Sequence, residues 1–110
     1  MSLNTSNTWI EIATIDELKN TNKIKKKLAD DLEILIIKIG NAIFCIENKC
    51  SHDEKSLEDG NINESKKTIE CSHHGAIFDL ETGKALRMPA VTPINIFKTK
   101  IENNKIYILF

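Results

Sequence analysis

The stretch LEILIIKIGNAIFCIEN, Leu32 to Asn48, contains two apolar runs, Leu32 to Ile39 and Ala42 to Ile46, on either side of Gly40-Asn41. Glycine reaches positive φ without steric cost, so the dipeptide reads as the two-residue turn of a β-hairpin. Isoleucine dominates both runs, and β-branched side chains suit a pleated, half-buried surface better than a helix. The end of the chain repeats the pattern. INIFKTKI from Ile94 alternates apolar and polar residues, Asn103-Asn104 tolerates left-handed geometry, and IYILF from Ile106 follows. At the other end, Trp9 to Ala13 reads as a short strand. Thr14 or Asp16 can cap a single helical turn in TIDELKN, and Lys23 to Leu28 is extended and polar.

The middle, from about Glu47 to Leu86, differs. It holds His52, His73 and His74, the cysteines Cys50 and Cys71, and Gly60, Gly75 and Gly83, with no long apolar periodicity. A loop-rich insert of about forty residues does not stay structureless inside a compact domain. A metal centre, more than an apolar core, is therefore expected to hold it.

Length and composition set outer bounds. A chain of 110 residues has room for one hydrophobic core, so a single domain over 1–110 is expected, with an inserted subdomain at about 47–86. Hydrophobic residues at 41% and charged residues at 28% are those of a globular protein and not a disordered one. The formal charge of −1 argues against a nucleic-acid partner, which would need a basic face. The local run Lys23, Lys25, Lys26 and Lys27 reads as a strand edge in water in preference to a docking patch. MSLNTSNTW shows no basic segment followed by an apolar run, and no stretch approaches the roughly 18 apolar residues of a membrane span. A soluble, cytoplasmic protein without a membrane partner is expected. Three cysteines are an odd number, so metal binding is a better expectation than a disulfide framework. No phosphate-binding glycine loop, dinucleotide fingerprint or serine nucleophile motif is evident.

Cys50-Ser51-His52 and Cys71-Ser72-His73-His74 form C-x-H, eighteen intervening residues, then C-x-x-H, with Gly75 directly after. Each half offers one soft thiolate and one imidazole. Two cysteines and two histidines also make a tetrahedral zinc complement, which leaves a zinc-stabilised interaction module open. Zinc fingers, however, pair C-x2-4-C with H-x3-5-H, whereas each half here supplies one of each.

With its flanking residues, this pattern resembles the Rieske-type [2Fe–2S] ferredoxins, the ferredoxin components of ring-hydroxylating dioxygenase-like systems. Leu57 and Gly60 follow the first motif as C-x-H-x4-L-x2-G. The second continues as C-x-x-H-G-x-x-F-D to Asp79, then Thr82-Gly83 and Pro89-Ala90. Trp9 in the leading strand and the closing IYIL match the family's ends. The resemblance implies an all-β fold: a small antiparallel β-sandwich or barrel, as in Rieske iron–sulfur proteins, with a cluster-binding subdomain inserted between its strands. It also implies one [2Fe–2S] cluster, with Cys50 and Cys71 on one iron and His52 and His74 on the other. Neutral imidazoles in place of two thiolates remove negative charge and raise the potential above that of all-cysteine ferredoxins.

The same resemblance ranks the remaining residues. His73 occupies a variable position and reads as a solvent-facing neighbour. In respiratory-complex relatives this position is a disulfide-bonded cysteine, but here the corresponding positions are His73 and Lys55, so that bridge cannot form. Ser72 replaces the family's usual proline, which costs loop rigidity and no ligand. Met88-Pro89 would cover the cluster from a third side, while Arg87, the only arginine, is either a partner anchor or a solvated charge. Cys45 reads as a buried small hydrophobe.

These features imply a one-electron carrier and not an enzyme. Terminal oxygenases of the family add a mononuclear iron held by two further histidines and a carboxylate, and all three histidines here fall within the cluster motifs. The expected partners are a flavin-dependent ferredoxin reductase as donor and a terminal oxygenase-like acceptor. A fixed small subunit of a nitrite reductase-type complex is the alternative. Many such subunits lack the ligands, whereas this chain has all four candidates.

High-potential relatives carry serine and tyrosine where this chain has Ala76 and Phe78, and those hydroxyls stabilise the reduced state by hydrogen bonding. Neither side chain here has a hydroxyl. The midpoint potential is expected near the bottom of the Rieske range of about −150 to +300 mV. A spectroscopic redox titration checks this, and a midpoint well above zero contradicts it.

Overall fold

The computed structural model describes residues 8–51, 56–72, 75–88 and 92–110. Among them, eleven strands form three antiparallel sheets. The first sheet has the order β1 (Trp9–Thr14), β11 (Lys105–Leu109), β10 (Thr99–Glu102). The second runs β2 (Lys23–Ala29), β3 (Leu32–Ile39), β4 (Ala42–Glu47), β9 (Ile96–Phe97). The third runs β5 (Asn61–Asn63), β6 (Thr68–Glu70), β7 (Ile77–Asp79), β8 (Ala85–Arg87). The chain leaves the second sheet after Glu47, builds the third, and re-enters the second at Ile96 beside β4.

The hairpin read from LEILIIKIGNAIFCIEN is present, with Ile39 opposite Ala42 and Gly40 at φ +59°. Its first strand is buried on both faces. Ile34 and Ile36 join Ala13, Leu18, Ile43, Cys45, Ile106 and Ile108 in a core facing the first sheet. Leu35 and Ile37 point the other way, into a core shared with Ile46, Leu57, Ile69, Phe78, Leu80 and both motif cysteines. A strand covered on both sides reads as a continuous apolar run, which is why LEILIIKI lacks the usual alternation. At the chain's end, Asn103 and Asn104 take φ +51° and +67°, the geometry of a two-residue hairpin turn. The turn after β1 is a single 3-10 turn, Ile15–Leu18, and the Thr14 N–H donates to the Glu17 carboxylate at 2.9 Å. Lys26 also lies 2.7 Å from that carboxylate and holds it below the usual range.

Two expectations need correction. The middle of the chain is not a loop-rich insert lacking a core, because it carries a four-stranded sheet and buries Leu57, Ile69, Phe78 and Leu80. Its strands are three residues long, too short to display a period of two, and its apolar residues are spaced by turns. The lysine run, too, is more than a strand edge in water. The Lys23 ammonium donates to the carbonyls of Glu58 and Gly60 at 2.6 and 2.8 Å, and Lys25 pairs with Glu58 at 3.0 Å. The alternation of β2 sends these side chains toward the insert and ties it to the base.

Gly83 makes a further tie. The Ile94 N–H donates to the Gly83 carbonyl at 2.8 Å, and a Cβ on Gly83, whose φ is +81°, would collide with the Ile94 carbonyl oxygen. Gly40 shares the left-handed conformation but has nothing within 4 Å of a built Cβ. Gly40→Ala is expected to cost about 1 kcal/mol, the conformational term alone, and Gly83→Ala about 3 kcal/mol or more. Chemical denaturation of the two variants checks the difference, and equal costs contradict it.

Candidate metal centre

Cys50 lies three residues beyond β4 and Cys71 one residue beyond β6. Two different loops therefore deliver a thiol each to one buried cluster, at 0% and 1% exposure. Neither is in a disulfide. Ala76 and Phe78, both fully buried, belong to the same cluster. The two positions that lack a hydroxyl thus lie in the same buried cluster as the two thiols.

Backbone hydrogen bonds close the second loop at its base. The Cys71 N–H donates to the Ala76 carbonyl at 2.7 Å, and the Gly75 N–H donates to the Cys71 carbonyl at 3.0 Å, with Gly75 at φ +76°. The first loop is held by side chains. Asn48 accepts the Leu57 N–H at 2.9 Å, and the Ser51 hydroxyl donates to the Thr92 carbonyl, in the segment that leads into β9. The Gly60 N–H donates to the Leu57 carbonyl at 2.9 Å, which places the L-x2-G of the motif in a tight turn over the core.

Of the sequence candidates, Cys50 and Cys71 are brought together. His52, His73, His74, Lys55, Pro89 and Ala90 lie outside the described residues. Met88 is 73% exposed and Arg87 is exposed as well. Cys45 lies in the other core, on the far side of the β3–β4 layer, and burial pushes its thiol up to about 12. Two residues were missed by sequence reasoning: Asn48 and Lys23, whose polar groups hold the first loop and the turn after it. The available signal for Asn48 was a short amide at a strand end, a residue type that satisfies nearby backbone donors.

Two buried thiols offered from separate loops, neither in a disulfide, are a donor set suited to a soft metal, and they fit an iron–sulfur cluster. The comparisons with known proteins agree. The Rieske [2Fe-2S] domain family matches residues 8–98. A 3-phenylpropionate/cinnamic acid dioxygenase ferredoxin subunit of Photorhabdus laumondii is 32% identical over 97 residues, covering 88% of this chain and 90% of that protein. The ferredoxin of carbazole 1,9a-dioxygenase from Nocardioides aromaticivorans IC177 superposes with a TM-score of 0.83 at 29% identity, covering 92% and 96% of the two chains. A chain from the complex of reduced oxygenase and oxidised ferredoxin in carbazole 1,9a-dioxygenase shares the fold at a TM-score of 0.83 and 19% identity, covering 94% of each. The chain belongs to the Rieske [2Fe–2S] domain family, among its small ferredoxins, and its cofactor is a Rieske [2Fe–2S] cluster.

The raised Cys45 thiol has a consequence for alkaline stability. Well below pH 9.0, the ordinary thiol value, Cys45 is neutral whether the chain is folded or unfolded and contributes no pH dependence. Above it the unfolded chain ionises first, and stability falls until the folded thiol titrates at about 12. The urea midpoint of the wild type is expected to drop relative to Cys45→Val as pH rises past 9. A constant difference between the two proteins contradicts this.

Proposed function

We propose that this chain is a low-potential one-electron carrier, accepting electrons from a flavin-dependent reductase and passing them to a terminal oxygenase. The observation that carries this reading is the burial of Cys50 and Cys71 in one cluster with Ala76 and Phe78, at the seam between the base and the insert. Cys50 and Cys71 would hold one iron and His52 and His74 the other. When bound, the cluster supplies a reversible one-electron couple.

The chain's own part is to hold and to tune. The thiols are buried in one apolar cluster with Leu57, Ile69 and Phe78, and the bonds from Cys71 to Ala76 and from Gly75 to Cys71 keep the second loop from opening. Ala76 and Phe78 withhold side-chain donors, which keeps the added electron less stabilised than in hydroxyl-bearing relatives. Acceptance by an oxygenase is supported by the carbazole dioxygenase complex, in which a protein of the same fold is the ferredoxin partner. Donation by a reductase rests on the chemistry of such a couple, which needs an electron source. Its likeness to a dioxygenase ferredoxin subunit supports placing the carrier in the cytoplasm.

The test begins with the spectrum of the purified protein. Visible absorption of a Rieske cluster is expected, lost in Cys71→Ser. His52→Cys or His74→Cys, where the cluster is retained, is expected to lower the midpoint potential by restoring negative charge. A colourless protein with one stoichiometric zinc overturns the reading, and an unchanged midpoint in a cluster-replete histidine variant overturns the ligand assignment.

A further inference from the structure

Asn48 is 6% exposed, and every polar atom of its side chain is engaged. Its Nδ2 donates to Glu33 Oε1 at 3.0 Å, and its own N–H donates to the Glu33 carbonyl at 2.8 Å, which anchors it to β3. Its Oδ1 accepts the Leu57 N–H at 2.9 Å and the Ser56 hydroxyl at 3.2 Å. The two ends of the segment 48–57 are thereby joined through one amide, and Cys50 lies between them. Leu57 is fully buried, so its N–H has no water to turn to if Asn48 is lost. A second tie reinforces the first: Lys23 from β2 donates to the carbonyls of Glu58 and Gly60, just beyond the segment.

These contacts involve no metal. They run from the base sheet to the loop and depend only on protein atoms. We propose that Asn48 is a positioning residue that holds the first cysteine loop closed before the cluster is inserted as well as after. The cluster then enters between Asn48 and Leu57 ends that are already joined, and does not bring them together. The proposal rests on the reading of Cys50 as a ligand for its effect on the cluster, and on the hydrogen bonds alone for its effect on the loop.

A neighbouring pair supplies the control. Asn95 Nδ2 donates to Glu47 Oε1 at 2.8 Å, an exposed amide–carboxylate bond at the same strand end that joins the two ends of the insert and involves no residue of the segment 48–57. Amide hydrogen exchange at Leu57 is measured in the full chain without cluster, and the rate of cluster loss to a chelator in the loaded protein. The Leu57 amide is expected to be protected in the cluster-free wild type. Asn48→Ala is expected to speed both exchange and cluster loss by about tenfold or more, while Asn95→Ala changes neither. The double variant Asn48→Asp, Glu33→Gln exchanges donor for acceptor across the pair and keeps the acceptor for Leu57. It is expected to recover both rates to within about twofold of wild type.

Exchange of the wild-type Leu57 amide at an unprotected rate overturns the proposal, and that measurement needs no variant to fold. Equal acceleration in Asn48→Ala and Asn95→Ala overturns it as well, since the effect would then belong to the strand end. A protected Leu57 amide in a protein that binds no iron–sulfur cluster would leave the loop closure standing and sink the ligand reading instead.

Discussion

The rest of the structure depends on the burial of β3 from both sides. Ile34 and Ile36 fill the core against β1 and β11, while Leu35 and Ile37 fill the core beneath the insert. Each strand residue presents its side chain opposite to its neighbours', so one eight-residue strand can serve two cores only if nearly every position is apolar. The charged residues of β3, Glu33 and Lys38, fall near its ends and are half-buried. Shifting β3 by one residue would exchange the two apolar sets and mismatch both cores, so its register is strongly constrained.

The metal centre inherits its rigidity from this layer. Cys50 and Cys71 are members of the same apolar cluster as Leu35 and Ile37, so the packing that fixes the insert on the base also fixes the thiols. Polar bonds then set details that packing cannot. Backbone bonds close the Cys71 loop, and side chains sent from β2 and from the end of β4 close the Cys50 loop. The second loop is short enough for its own peptide groups to meet. Placing Cys45 in the opposite core separates it from the two candidate ligand thiols.

Much of the fold was legible in advance because strong, local signals carried it. Gly40-Asn41 and Asn103-Asn104 both turn hairpins, and Trp9 starts the strand that pairs with the IYIL strand. The third sheet was not legible. Its strands span three residues each, and their apolar positions have meaning only once the base sheet lies beneath them. The two candidate cysteines were legible from spacing and motif. Asn48 and Lys23 were not, since their partners are backbone groups 9 to 37 residues away in sequence.

The sequence by itself determined the chemistry: the paired C-x-H and C-x-x-H motifs, the missing hydroxyls at Ala76 and Phe78, and the β-rich frame. Those are properties of residue type and local spacing, and they survive without any long-range contact. Tertiary structure alone decided which apolar residues make one core and which the other, that Cys45 stands apart from Cys50 and Cys71, and which side chains close the first loop. Each of those depends on strands distant in the chain meeting at a particular register, and hydrophobic pattern read along a line does not say which strands will meet.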